Sequence, residues 1–534
     1  MKCSKCKEND ATYYISHEST RGAGIGFCDT CAEEIGIFSA LRRVESLLHG
    51  YGLKSDDAPV LGRVSLPIEF AESCKACGTD LLEFERNFYF GCEECAVVFG
   101  SLIANYLSLL GARGGGAVSI YPGRPPRSYR EKNDLQALNN RIKKCLDGEN
   151  YQEAAELRRR YDELDEKIRA KRRRFAALPG GVEDSVAEAG DNARGVLLEN
   201  VSPLAPLPAT WLLTCIEVRR NFSAFNFPPR LEAPELNFVR RYAENLLPAK
   251  QARALKRVSI GKLDWGERKA FETKLLGRRL YPGAALLADS SFSNLILLNN
   301  MDHLTFVFFS RERETGAALL PVSGALGAVE RKAEIAFSSR FGYITTAPKH
   351  LGAGLSASVL LHLPYSLFRG RVYSYPSKAL ERCVKFEPLA GNNFEQHGFF
   401  RVTSAPGFGK CEAELVSEVL DFACELAAEE EKIRAGFTAQ EESRLRNIMK
   451  KVMYHAAQSY RLAYPDVLRF TTFMSLGVER GAVELPGFNL DEVFPLMTSA
   501  FIMLRDGARY SVNECEKRRA DLFAALVEKW SRGK

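Results

Sequence analysis

Eight of the 14 cysteines fall in four Cys-x-x-Cys pairs within the first hundred residues: Cys3 and Cys6, Cys28 and Cys31, Cys74 and Cys77, Cys92 and Cys95. Such a turn sets two thiolates on one side of a tight loop, where backbone amides also reach the sulfurs. Two turns complete the tetrahedral four-sulfur shell that zinc prefers. Sequential pairing makes two sites, Cys3, Cys6, Cys28 and Cys31 in one and Cys74, Cys77, Cys92 and Cys95 in the other, hence two zinc ions per chain. Cross-braced pairing uses the same residues and stays open. Four regularly arranged pairs fit zinc spacing better than redox dithiols do. A catalytic zinc keeps one position open, and four cysteines per site leave none, so the sites are read as structural. His17 and His49 are read as ordinary surface or core residues.

The elements that must carry these pairs are too small to fold unaided, and the rest of the chain is organised around them. At 534 residues and 46% hydrophobic content the chain supports two or three buried cores. A net charge of +6, from 73 basic and 67 acidic side chains, is too mild to announce a nucleic-acid binder. No apolar run is long enough to span a bilayer and the start, MKCSKC, has no secretory pattern, so a soluble cytoplasmic protein without membrane contact is expected.

The first zinc module is placed at 1–48 and the second at 68–112, with a Gly/Pro/Asp-containing connector between them. A Gly/Pro/Arg-rich loop over 113–130 precedes a helical hairpin at 131–175. A Gly/Ala/Pro-rich linker follows at 176–208, and a globular domain occupies 209–534. Within that domain, strand-like runs such as LILLNN, LTFVFF and GYITTA alternate with long helices. One of these helices spaces Leu415, Val419, Phe422 and Leu426 by fours and threes.

In the hairpin, apolar residues recur at Leu135, Leu138, Ile142 and Leu146, and again at Ala154, Leu157, Tyr161, Leu164 and Ile168, with the turn DGEN between the two sets. Two helices bury little surface alone. Leu157, Tyr161 and Leu164 are therefore read as a docking face for a protein partner or a second copy, the alternative being a spacer with no partner. The basic run Lys171 to Arg174 is read as a solvated helix end.

Two modules of paired CxxC turns, the run GCEEC and a hairpin reading ENYQEAAELRRRYDEL resemble McsA, the zinc-binding activator of the bacterial protein arginine kinase; the hairpin resembles the UVR motif. That family works in protein quality control, linking the kinase to the Clp unfoldase-protease system. Residues Phe341 to Pro364 (FGYITTAPKHLGAGLSASVLLHLP) and Leu297 to Leu304 (LLNNMDHL) resemble the arginine kinase itself, McsB, of the phosphagen kinase fold. The expected fold is therefore multidomain: small zinc-ribbon-like modules and an α-helical hairpin, then an α+β phosphagen-kinase-like domain with an antiparallel sheet. The resemblance places a small helical lobe at 209–268 and a larger lobe at 269–534.

Phosphoryl transfer from ATP depends on cations that stabilise charge spread over the transferring oxygens. Where the resembled family carries an RxR pair and then an Arg-Asn step, this chain reads LTCIEVRRN, putting Cys215 and Glu217 at the arginine positions and keeping Arg220. Where the family reads NEEDH, an apolar residue and Arg, this chain has Asn299, Asn300, Met301, Asp302, His303, Leu304 and Thr305. Its GLRAS becomes Gly354, Leu355, Ser356, Ala357 and Ser358, and Lys385 is a candidate substitute cation. The resemblance then implies that Cys215, Glu217, Thr305 and Ser356 supply no cation for ATP and Mg²⁺, and that Asn300 has lost the acid that orients the acceptor. No catalytic residue is expected.

The leading reading is a zinc-bearing adaptor with a UVR-like hairpin fused to a pseudokinase, whose partner is an arginine kinase, a Clp ATPase or a second copy. A divergent active arginine kinase carrying its activator in cis is the first alternative. A nucleic-acid-binding zinc and UVR protein is the second, and is less favoured.

Overall fold

The computed structural model describes residues 73–100, 125–176 and 209–533 with few gaps, and short pieces before them. Among those pieces, β1 (Tyr13–Ile15) pairs antiparallel with β2 (Ile25–Phe27). Helix α1 (Leu81–Asn87) follows the Cys74–Cys77 turn, with Asp80 accepting from the Glu83 amide as its N-cap. The hairpin is formed by α2 (Arg127–Asp147) and α3 (Tyr151–Ala176), so the expected loop at 113–130 gives way to helix at its last four residues.

The large domain is built on one eight-stranded sheet. Its strands are β3 (Trp211–Arg220), β4 (Lys256–Ser259), β5 (Ala285–Ala288), β6 (Asn294–Leu298) and β7 (Leu304–Ser310), then β10 (Leu355–His362), β11 (Val384–Pro388) and β12 (Phe399–Ser404). They lie in the order β11-β12-β10-β3-β7-β6-β5-β4, antiparallel at every junction. Two short strands, β8 (Phe337–Ser338) and β9 (Gly342–Tyr343), pair separately.

Helices cover both faces of the sheet. Against one lie α4 (Ala233–Leu246), α6 (Thr315–Lys332) and α7 (Glu412–Ala435), packed on Ile216, Val218 and Phe306. Leu415, Val419, Phe422 and Leu426 are all buried on this side. Against the other lie α5 (Trp265–Lys274), α8 (Ala439–Gln458), α9 (Tyr464–Glu479), α10 (Ser499–Asp506) and α11 (Val512–Ser531), packed on Leu213, Leu286 and Val307.

Two expectations need correction. Residues 209–268 do not form a separate helical lobe: their first segment is β3, central in the sheet, because all ten residues of WLLTCIEVRR are buried between the two helical layers. In the segment expected to be a linker, Val186 is 1% exposed and packs in the core with Ile216 and Val218. The other residues of 177–208 lie outside the described residues.

A third, smaller core joins the second cysteine module to the large domain. Phe84, Phe90 and Phe99 of the module pack with Phe227, Phe341 and Phe408 of the domain. The Phe90 amide donates to Thr346 O at 2.8 Å, the Phe227 amide to Gly91 O at 2.7 Å, and the Phe337 amide to a Glu93 carboxylate oxygen at 3.1 Å. Arg230 pairs with Glu83. Tyr129 of α2 packs edge-on against Phe337 at 4.7 Å, which fixes the hairpin's first turn to the same region.

Candidate anion cleft and metal centre

A strand alternates its side chains between faces, so parity along β3 decides what enters the cleft. Cys215, Glu217 and Arg219 point to one side, and Ile216, Val218 and Arg220 to the other. Register extends the row across the sheet. Ser356 lies opposite Glu217, Ser358 opposite Cys215, Thr305 opposite Arg219, and Thr403 opposite both Ser358 and Lys385. These residues line a cavity of about 540 Å³ together with Arg278, Arg279, Asn300, Lys349 and His350. The matched positions Cys215, Glu217, Asn300, Thr305 and Ser356 are thus brought together.

Arg220 is not among them. It is 1% exposed, lies 3.4 Å above the Tyr343 ring, pairs with Glu330 at 3.1 Å and donates to Ala353 O at 3.0 Å. Its parity turns it to the opposite face, where it holds β3 to α6, so the arginine retained at the matched position is a core residue outside the cleft. Gly354 is required beside it: a Cβ there would come within 2.8 Å of both Arg219 O and Arg220 Nη1.

The cleft is not stripped of cations. Arg219, Arg278, Arg279, Lys349, Lys385 and Arg401 all line it, against the acids Glu217, Asp302 and Glu387. Of these cations, sequence matching pointed only to Lys385: Arg219 lies in the matched segment but next to the matched Arg220, and the others come from segments with no arginine motif. Glu217 stands among them. It pairs with Arg219 Nη2 at 2.6 Å and with Arg278, whose Nε donates to it at 2.8 Å and whose second nitrogen closes a bidentate contact. Burial alone would raise the Glu217 carboxyl, but Arg219 and Arg278 outweigh it and hold the group below the ordinary carboxylate range. Arg219 also donates to Ser356 Oγ at 3.0 Å.

The remaining cations crowd one another. Desolvation, then Arg219 and Lys385, lowers Lys349; desolvation, then Arg219 and Lys349, pushes His350 well below its ordinary value. Burial pushes the Cys215 thiol up to about 11. Asn300 is a structural amide: its Nδ2 donates to Arg279 O at 3.0 Å and its Oδ1 accepts from the Tyr281 amide at 3.1 Å. A carboxylate could not make the first of these bonds. Behind it, Asp302 accepts from Asn221 at 2.7 Å and from the Thr346 amide at 2.6 Å, which fixes the loop that carries Asn300.

Residues 262–433 match the family described as ATP:guanido phosphotransferase, C-terminal catalytic domain. The chain is 24% identical over 319 residues to a protein-arginine kinase of Shouchella clausii, covering 58% of this chain and 88% of that protein. It is 21% identical over 243 residues to a protein-arginine kinase of Halothermothrix orenii, covering 45% and 70%. The C-terminal part is an ATP:guanido phosphotransferase domain. Among solved structures, lombricine kinase aligns at a TM-score of 0.36 and 16% identity, over 52% of this chain and 79% of that one. A duplicated taurocyamine kinase from Schistosoma mansoni aligns at 0.36 and 15%, over 55% and 40%.

On the phosphotransferase domain sits the second cysteine module, whose four sulfurs lie within 4.8 Å of one another. Cys74 and Cys92 are 3.5 Å apart, Cys77 and Cys95 3.4 Å, and Cys92 and Cys95 3.9 Å. A tetrahedron with zinc–sulfur bonds of about 2.3 Å has edges of about 3.8 Å, so the set fits a zinc ion held by Cys74, Cys77, Cys92 and Cys95. Hydrogen bonds from Cys92 and Cys95 hold the Cys77 thiol well below the usual range, while the Cys77 contact drives Cys92 well above it. Four thiols this close cannot all ionise without a cation among them. Gly91 leaves room for them, since a Cβ there would strike Thr79 Oγ1 and come within 2.8 Å of the Cys77 sulfur. In the first module Cys6 and Cys28 lie 3.8 Å apart, and Cys3 and Cys31 lie outside the described residues.

The hairpin's expected docking face is altered. Leu157 is 3% exposed and, with Ile142 and Ala154, belongs to the buried seam between α2 and α3. Tyr161, beneath the Arg158 guanidinium at 5.2 Å, and Leu164 are half-buried. Among the described residues of the hairpin, the large apolar side chains most open to solvent are Leu146 and Tyr151 at its tip, on either side of the turn. Among the described residues no helix is long and apolar enough to cross a membrane.

Proposed function

We propose that this chain is a non-catalytic regulator acting in protein arginine phosphorylation, an adaptor whose zinc module is held in cis against a phosphotransferase domain that no longer transfers phosphate. The observation that carries this reading is Glu217. A carboxylate held by both Arg219 and Arg278 occupies the guanidinium pair with an internal anion, at a position matched to a family arginine. A triphosphate entering the cleft meets that charge and must compete for both arginines. Asn300, committed to Arg279 O and the Tyr281 amide, offers no acid to orient an acceptor guanidinium. The McsA-like third supplies the means of regulation: the shared phenylalanine core, a zinc module bonded through Phe90 to Thr346, whose amide holds Asp302, and a hairpin that presents Tyr151 to an arginine kinase, a Clp ATPase or a second copy.

A second reading, a divergent arginine kinase, draws on one observation: Arg279, Lys349, Lys385 and Arg401 line the cleft beside the occupied pair. The family uses ATP and Mg²⁺, and such a cluster could hold a polyphosphate. The two readings are separated by incubating the full chain with labelled ATP, Mg²⁺ and an unfolded Arg-rich protein, then measuring acid-labile phosphate, with Arg219→Ala as the control. The regulator reading requires no phosphoarginine above the control. Its formation by the parent chain and its loss in Arg219→Ala would establish the kinase reading instead.

A further inference from the structure

A larger cavity, of about 890 Å³, shares no lining residue with the cleft and lies against α8 and α9. We propose that it docks an acidic peptide segment of a partner protein, one that carries an aromatic or aliphatic side chain among its carboxylates.

Three segments and Glu395 build it. Helix α8 contributes Arg444, Ile448, Lys451 and His455, spaced by four, three and four residues and therefore on one stripe. Helix α9 adds Arg469, Phe470 and Phe473, and the segment 367–373 adds Phe368 and Tyr373. The floor is aromatic: Phe368 is buried, Phe470 and Phe473 are half-buried, and Tyr373 stands open at the rim. Arg444 rests over the Phe368 ring at 5.0 Å.

The charge is lopsided in a specific way. Arg369 is fully engaged, donating to both oxygens of Glu441 at 2.7 and 2.9 Å and to Gly436 O at 2.6 Å. That pair cancels the wall's one strongly held carboxylate; the Arg369 contact lowers the Glu441 carboxyl to about 2. Arg444, Lys451 and Arg469 remain, and among the described residues none of them is paired with a carboxylate. Among the described residues, Glu395 is the only other acid in the wall. Three cations above an aromatic floor suit a ligand with both carboxylates and an apolar anchor. Nucleic acid is a poorer match, since it needs a basic track along many phosphates, and here the cations are confined to one cavity with Glu395 and Glu441 in its wall. This inference does not depend on whether the cleft transfers phosphate.

The test uses the full chain and fluorescence anisotropy with a labelled peptide of Glu, Asp, Phe and Leu. Its controls are the same peptide with Gln and Asn for the acids, an all-Glu peptide of equal length, and an oligo-dT strand. The expected result is saturable binding of the acidic aromatic peptide, weakened at least about tenfold by the amide peptide and by the all-Glu peptide, and lost progressively with salt. The surface variants Lys451→Glu and Arg469→Glu, whose side chains are exposed, should each weaken it about threefold to tenfold with unchanged helix content. Tighter binding of oligo-dT, peptide binding indifferent to both reversals, or no saturation up to about 1 mM peptide would each overturn the proposal.

Discussion

Replacing Glu217 by Gln removes one negative charge from between two guanidiniums and leaves the side chain's size unchanged. Arg219 Nη2 lies 2.6 Å and Arg278 Nε 2.8 Å from its oxygens, and all three groups are shielded, with side-chain exposures of 9%, 20% and 7% for Arg219, Arg278 and Glu217. At an effective dielectric of about 20, two unit charges about 4 Å apart attract by about 4 kcal/mol, and removing one partner of a buried pair typically costs about 3–5 kcal/mol. Gln still accepts a hydrogen bond, so a loss near the lower figure, about 3 kcal/mol, is expected from urea unfolding at pH 7.

Two arginines without a counter-ion then make a phosphate site. Inorganic phosphate at about 100 times its Kd returns about 2.7 kcal/mol to the variant. The parent chain, which already holds Glu217 there, should gain much less. The pH dependence has a definite sign. Folding holds this carboxyl below its ordinary range, so its contribution is complete above the unfolded value and fades as pH falls through the lower folded value. The parent should therefore lose its advantage over Glu217→Gln on acidification. Equal stabilities at pH 7, or equal rescue of both chains by phosphate, would refute the internal-anion account of the cleft.

Elemental analysis of protein purified without chelator should find about two zinc ions per chain, and Cys95→Ser should remove one of them together with stability in the second module, because metal binding in such modules is folding energy. Loss of both ions from that single change would indicate cross-bracing. In the hairpin, Leu157→Asp should melt α2 and α3, seen as lost helical circular dichroism, since it buries a carboxylate in the seam. Tyr151→Ser, at a side chain 66% exposed, should keep the helices and weaken association measured by sedimentation. Intact helicity in Leu157→Asp would contradict the buried placement.

Helix patterns were the most legible part of the sequence. Leu415, Val419, Phe422 and Leu426 lie on one buried face, and the turn at Gly148 separates two helices, because a 3.6-residue period leaves a mark in any window of four turns. The central strand was less so. WLLTCIEVRR is buried on both faces, so alternation is lost and nothing local separates it from a lobe boundary. In the hairpin the same apolar period serves an internal seam and an external docking face. Leu157 was assigned to the wrong one, since periodicity reports burial and not what does the burying.

The cleft shows the same limit at finer scale. The segments matched in the sequence set Cys215, Glu217, Thr305 and Ser356 on adjoining strands of the sheet, whose register brings them to one cleft. It chose Arg220 over Arg219, and a strand gives adjacent residues opposite faces, so a one-residue choice decides between the cleft and the core. The other cations arrive on strands and loops far apart in the chain: Arg278 after α5, Lys349 before β10, Lys385 on β11 and Arg401 on β12. Each is an ordinary basic residue in its own segment. Only the cross-strand pairing of Lys385 with Thr403, and of Thr403 with Ser358, carries that edge of the sheet to the row that holds Cys215. A motif lists what one segment offers, whereas an electrostatic site sums over all the segments that meet there. Counting lost arginines therefore describes the fate of a motif, and the charge of the cleft is fixed by which cations arrive and by how many of them Glu217 has already engaged.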